Sequence, residues 1–249
     1  MLSKNQIKLI KSLEAKKNRK REGLFVAEGP KVVGDLLRAG FQPHSIFSTV
    51  SRPDAELITD DELRRISFLQ HPQEVLGVFH ISTIPQPSDI SHQPSDISHQ
   101  TSGLSLALDG VQDPGNVGTI IRIADWFGIS QIFCSPDTAD VYNPKVVQAT
   151  MGSLAHVCIT YCDLVPLLSK AGVPVYGTLL DGQDIYQQPL SENGIILMGN
   201  EGNGISPEVR QLVTNKLLIP NFNKNTETAE SLNVAIATAI TLSEFRRRF

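Results

Sequence analysis

The sequence predicts an α/β protein in two parts. In the second half, apolar runs of strand length alternate with helical patterns, and turns rich in Gly and Pro close several of those runs. A polar tandem repeat then separates that half from a smaller front part. Residues 1–80 form the front part. Ile7–Lys17 places Ile7, Ile10 and Leu13 at helical spacing under a basic face. Leu24–Ala27 reads as a short strand. Gly29–Ala39 reads as a helix, with Pro30 in its first turn and Val32, Val33, Leu36 and Leu37 on one side. Ser45–Ser48 and Val75–Phe79 supply further strands.

Residues 81–103 read as a linker. The heptad QPSDISH at Gln86–His92 recurs at Gln93–His99, and Pro, Ser and Asp dominate without apolar periodicity. His92 and His99 lack neighbouring Cys or His and do not suggest a metal site.

Residues 104–249 hold six strand-length runs: Leu104–Leu108, Gln131–Cys134, His156–Thr160, Val173–Thr178, Ile195–Met198 and Lys216–Ile219. Helical patterns at Val117–Phe127, Pro144–Met151 and Asp163–Lys170 fall between them, which predicts a mostly parallel sheet covered on both faces. A last helix, Leu232–Phe249, carries Val234, Ala235, Ala237, Ala239 and Ile240, small enough for packing on more than one side. Arg246, Arg247 and Arg248 at its end suit the helix dipole.

Composition narrows the function classes. Of 249 residues, 41% are hydrophobic and 19% charged, which excludes a mainly disordered chain. The net charge is −4, yet Lys4, Lys8, Lys11, Lys16, Lys17, Arg19, Lys20 and Arg21 crowd the start. That asymmetry points to an anionic partner at one end. Cys134, Cys158 and Cys162 are too few for a disulfide framework or a four-thiolate zinc site, and they read as core residues. No metal is expected. No apolar run reaches membrane-spanning length and Lys interrupts the N-terminus, so a cytoplasmic protein without a membrane partner is expected.

Three stretches could carry chemistry. In Asp113–Ala124 a strand runs through a Gly/Pro turn into a helix that Asn116 would cap, with Arg122 one to two turns further on. Ligands of open α/β sheets bind at such carboxyl ends, although a capped helix with a solvated Arg gives the same pattern. In Ile196–Ser206 the glycines Gly199, Gly202 and Gly204 surround Glu201. The order is not that of dinucleotide folds, and an acid there disfavours a pyrophosphate. The third stretch joins Leu218-Ile219-Pro220 to Glu230–Ala235, where Ser231 would cap the last helix and Asn233 would lie in its first turn.

Taken in order, N-x-G-x-x-x-R-x-A, L-M-G-N-E-G-x-G and I-P…S-L-N-V-A resemble the SpoU (TrmH-like) family of RNA ribose 2′-O-methyltransferases. The front part, with Leu24-Phe-Val-Ala-Glu-Gly, is similar to the L30e-type RNA-binding module that precedes the catalytic domain in many members. The resemblance implies S-adenosylmethionine as cofactor and a deep trefoil knot, which topology rules would not suggest. It implies that Thr178, Met198, Gly199, Ile219, Pro220 and Leu232 wrap the cofactor. It places Asn116, Arg122, Glu201, Ser231 and Asn233 near the reacting groups. A guanidinium stays charged, so Arg122 is expected to hold phosphate and developing alkoxide charge rather than act as a base. The basic start favours ribosomal RNA over transfer RNA as substrate, and the resemblance implies a homodimer. A non-catalytic RNA-binding protein should have lost these motifs, and a nicotinamide-dependent oxidoreductase needs a Gly-rich fingerprint after the first strand that is absent.

Overall fold

The computed structural model describes residues 1–81, 103–223 and 230–249. The tandem heptad therefore lies outside the described residues, as does part of the stretch between Pro220 and Ser231. The chain forms two compact units. One comprises Met1–Asp89 with Asp140–His156, the other Ile90–Ala139 with Val157–Phe249.

The first unit starts with helices α1 (Lys4–Ser12) and α2 (Lys16–Glu22), followed by β1 (Leu24–Glu28) and α3 (Pro30–Arg38). It continues with β2 (Pro43–Ser48), β3 (Glu56–Leu57), α4 (Asp60–Ile66) and β4 (Val75–His80). The single basic helix expected over Ile7–Lys17 is instead two. Ser3 caps α1 in a capping box with Gln6, and the chain breaks after Ser12 before restarting at Lys16. The short β3 and α4 have too few apolar residues to stand out in the sequence. The sheet order is β1-β4-β2-β3, antiparallel except for the β2–β3 pair.

The second unit opens with β5 (Leu104–Asp109), α5 (Pro114–Trp126) and β6 (Gln131–Cys134). The chain then contributes α6 (Pro144–Thr150) to the first unit before returning with β7 (Cys158–Tyr161), α7 (Leu164–Ser169) and β8 (Val175–Asp184). It closes with β9 (Gly194–Gly199), α8 (Pro207–Arg210), β10 (Asn215–Leu218) and α9 (Val234–Arg247). The six strands are all parallel in the order β10-β8-β9-β5-β6-β7. Ala107, Ile195 and Leu197 pack with Leu164, Leu168 and Val209 from α7 and α8. Their strand neighbours, Leu106, Leu108, Ile196 and Met198, are also buried, as period-two alternation requires when both faces are covered. α5 and α9 pack together on that other side, where the Phe245 ring meets Tyr176 edge-on at 4.9 Å.

The C-terminal arginines do more than suit a dipole. Arg246 donates to the carbonyls of Phe127 and Gly128 at 2.8 and 3.2 Å, satisfying the end of α5. Arg248 donates to Ile185 and Tyr186, both at 2.9 Å, and also to Gln188. Arg247 and Arg248 hold the buried Glu244 carboxylate, lowering its pKa to about 2.

Within the first unit, α6 lies against the edge strand β1, and Tyr142 brings its ring to 4.8 Å from Phe25. Arg19 locks the two segments of this unit together. Far from joining the exposed basic face, it is 2% exposed and donates through Nε to Asp140 at 3.1 Å. Its Nη1 donates to the carbonyls of Leu13 and Glu14 at 2.9 and 2.7 Å. Lys16, Lys17, Lys20 and Arg21 remain exposed around it. Removing one partner of a buried pair strands the other charge, so Arg19→Ala should cost about 3–5 kcal/mol of unfolding free energy in urea titrations. Lys17→Ala, on the exposed face, should change it by less than about 0.5 kcal/mol. Equal effects would show that Arg19 is not a structural lock.

Candidate active site

Strand order reverses between β5 and β9, and both strands point their carboxyl ends the same way. The register pairs Asp109 with Gly199, so the loops that follow leave the sheet side by side. The Asp109 carboxylate, nearly buried, accepts from the Ser206 N–H at 2.7 Å and pins the far end of the β9 loop. Asn200 organises the loop's interior. Its side-chain oxygen accepts from Gly202 and Asn203 N–H, both at 2.9 Å, and its amide donates to the Gly110 carbonyl at 2.7 Å. Reciprocal backbone bonds between Asn200 and Gly204, at 2.9 and 3.0 Å, close the turn.

On the β5 side, Asp113 rather than Asn116 caps α5. Asp113 Oδ1 accepts from the Asn116 N–H at 2.8 Å, and Pro114 takes the first helical position. The cap satisfies the backbone of Asn116 and leaves its side chain for other work. Asn116 Nδ2 donates to Glu201 Oε1 at 2.9 Å, and Gln112 N–H approaches Glu201 Oε2 at 3.4 Å. The third stretch differs from expectation in the same manner. Asn233, not Ser231, caps α9, accepting from Ala235 and Ile236 N–H at 3.0 and 3.3 Å. Its amide nitrogen donates to Asn116 Oδ1 at 2.9 Å. Asn233, Asn116 and Glu201 thus form one hydrogen-bonded chain drawn from three segments distant in sequence.

Beside this chain is a cavity of about 910 Å³. Thr178, Met198, Gly199, Ile219, Pro220 and Leu232 all line it, as do Glu201 and Ser231. Thr178 Oγ1 lies 3.5 Å from the Met198 sulfur. At the wall, Lys216 and Arg210 hold the Asp181 carboxylate, lowering its pKa to about 2. Arg122 stands apart: it is exposed on α5, outside the cavity lining, and among the described residues no hydrogen bond or ion pair holds it. Two exposed apolar side chains stand on the packed pair α5 and α9, Trp126 at 85% exposure and Ile236 at 52%. Among the described residues, no group of three or more His, Cys, Asp or Glu gathers as a metal site, and no helix is long and apolar enough to cross a membrane. Burial pushes the Cys134 thiol up to about 12, which leaves it inert at neutral pH.

Residues 103–243 match the profile of the SpoU rRNA Methylase family, and residues 4–77 match that of the MRM3-like substrate binding domain. The chain belongs to the SpoU rRNA methylase family. It is 32% identical to the 23S rRNA (guanosine(2553)-2′-O)-methyltransferase RlmP of Bacillus subtilis, over 98% of this chain and 97% of that protein. Among solved structures, a putative RNA methyltransferase of the TrmH family from Porphyromonas gingivalis superposes with a TM-score of 0.82 at 44% identity, covering all of both chains. An AdoMet-bound rRNA methyltransferase from Sinorhizobium meliloti superposes at 0.83 with 33% identity, covering 100% of this chain and 96% of that one. The α/β architecture of this SpoU chain, with its parallel sheet and small N-terminal module, agrees with these structures.

In this SpoU chain Asp109, Asn200, Asp113 and Trp126 complete the description; Asp113 and Asn200 fall within the motif stretches, but sequence reasoning gave none of the four a role. Asp113 could have been found, since Asp followed by Pro is a helix-start signal. Gly199 also has a second constraint besides lining the cavity. A Cβ there would lie 2.4 Å from the Gly204 carbonyl carbon and 2.5 Å from Ile205 N. Gly199→Ala should therefore lower stability by about 1–3 kcal/mol through overpacking against backbone. Gly202→Ala, whose Cβ would meet nothing closer than 3.6 Å, should be milder in the same thermal unfolding experiment. The reverse ranking would mean the loop yields freely at Gly199.

Proposed function

We propose that the chain transfers a methyl group from S-adenosylmethionine to a ribose 2′-hydroxyl of ribosomal RNA. The observation that carries this reading is that the six residues matching the family's cofactor motifs share one cavity, and Asn116, itself held by Asn233, donates to an acid in its wall. The cavity's volume, about 910 Å³, suits a nucleoside-sized ligand. The carboxylate of Glu201 in its wall suits a cationic one better than an anionic one. When bound, the cofactor supplies a methyl on a sulfonium, already a good electrophile. The remaining difficulty is a weakly acidic nucleophile. Relatives that align over nearly the whole chain carry names for rRNA methylation, which favours ribosomal over transfer RNA.

The chain's own residues divide the work. Thr178, Met198, Gly199, Ile219, Pro220 and Leu232 hold the cofactor, and the expected trefoil knot belongs to that part of the reading. Asn233 fixes the amide of Asn116, which in turn fixes Glu201, and Ser231 lines the same space. Arg122, charged and free of protein partners among the described residues, binds an RNA phosphate and stabilises the developing alkoxide. Residues 1–80 present the RNA through the exposed basic face, residues 81–103 link, and residues 104–249 carry the chemistry while lending Asp140–His156 to the first unit. A cytoplasmic location fits this substrate. Arg122→Ala should lower the methyl-transfer rate on the order of 10²–10³-fold with S-adenosylmethionine affinity changed only a few fold. Loss of cofactor binding in a folded variant would sink the assignment.

The enzyme acts as a homodimer. The support is the exposed apolar side chains of Trp126 and Ile236 on α5 and α9, where a symmetric copy would cover them. Arg122, one turn before Trp126 and absent from the cavity lining, then serves the partner's cofactor. Mixing Arg122→Ala chains with Thr178→Trp chains should recover part of the activity that neither has alone. No recovery despite proven subunit exchange would place a complete site in each chain.

A further inference from the structure

The first unit holds a second cavity, which the methyl-transfer reading does not use. It measures about 270 Å³ and is walled by Val26, Phe68, Leu69 and Pro144, with Lys145 and Gln148 also lining it. All these residues belong to the first unit. Its lining also contains the side chain of Glu28, only 4% exposed. A carboxylate at the wall of a mostly apolar cavity is costly unless donors reach it. Ser67 donates to Glu28 Oε2 at 2.5 Å and the Phe68 N–H to Oε1 at 2.8 Å. Each oxygen has more than one lone pair, so each can accept a further bond from the cavity side.

We propose that this cavity binds one unstacked guanine base of the RNA substrate, read by the Glu28 carboxylate. The inference rests on the RNA-methylating role above and identifies what the first unit recognises. Guanine alone among the four bases presents two adjacent N–H donors, N1–H and the 2-amino group, on its pairing edge. Two adjacent donors match the two free acceptor positions of one carboxylate. Adenine, cytosine and uracil each offer a single donor there, which leaves one acceptor position of Glu28 unmatched. The apolar walls, Phe68 and Pro144 among them, suit a π face, since single-stranded RNA is recognised by bases splayed out and stacked on side chains. Burial raises the Glu28 pKa above the ordinary carboxylate value, against the lowering by Ser67, Phe68 and Lys11. A base's donors would relieve that penalty. The surroundings suit a polyanion. Lys145 is exposed at this cavity, and Lys16, Lys17, Lys20 and Arg21 are exposed elsewhere on the same unit. Lys11 lies 4.8 Å over the Phe68 ring and donates to the Ser67 carbonyl at 2.7 Å, fixing the wall that carries both donors to Glu28.

The test uses the full chain and short oligouridylates carrying one guanine, one hypoxanthine, one adenine or no purine, with affinity read by fluorescence anisotropy. Hypoxanthine keeps N1–H and lacks the 2-amino group. The guanine strand should bind on the order of tenfold more tightly than the hypoxanthine or adenine strands, the value of one bidentate base contact. Glu28→Gln should erase that preference. So should Ala149→Phe, which places a ring in the cavity and leaves Glu28 itself unchanged. Equal affinity of the unaltered protein for all four strands would overturn the guanine site while leaving RNA methylation standing. A preference that survives both substitutions would overturn it too, by locating the reader elsewhere. Failure to bind any of the strands would overturn the RNA reading, and this site with it.

Discussion

The pairing of β5 with β9 fixes where two loops leave the sheet, and the meeting of Asn116 with Glu201 follows from that register. Asp109 stands opposite Gly199, and the next residues on each side turn out of the sheet together. A slip of the register would separate an amide and a carboxylate now 2.9 Å apart. Several groups protect this geometry. Asp109 holds Ser206, Asn200 ties the β9 loop to Gly110, and Asp113 holds the first turn of α5. These bonds keep Asn116 and Glu201 still, and positioning to a fraction of an ångström is where much of an enzyme's rate resides.

The same economy appears in Asn233. Its side-chain oxygen caps α9 while its nitrogen holds Asn116, so the start of the last helix and the start of α5 are one assembly. Arg122 contrasts with this network. It stands exposed on α5, with no hydrogen bond or ion pair among the described residues. A charge kept free of protein partners pays little to meet a phosphate, whereas Arg19, buried and held by Asp140 and two carbonyls, is out of reach of RNA.

Much of this was legible in the sequence. The six strands of the second unit lay in apolar runs, since a sheet covered on both faces needs continuous hydrophobic segments. The residues lining the large cavity could be named because the motifs at the strand ends resemble those of the SpoU family. What escaped was of three kinds. The caps lie elsewhere than the sequence suggests, three residues before Asn116 and two after Ser231, because a polar residue near a helix start can either cap or point away, and only the neighbour's bond decides. Arg19 read as one cation of a basic run, because burial depends on Asp140, far along the chain. The placement of α6 against β1 was hidden for the same reason: Val146 and Val147 pattern as an amphipathic helix without saying which sheet they cover.

Asn116 and Glu201, bonded across the β5–β9 switch point, are proposed to act as one unit in methyl transfer. A double-mutant cycle on methyl-transfer rate tests this directly, with Asn116→Ala, Glu201→Gln and the double variant compared under single-turnover conditions. Residues acting together lose their contribution once, so the double variant should be no slower than about the slower single variant. Losses that multiply, each substitution slowing the reaction by its own factor in the presence of the other, would contradict the account and make the two residues independent.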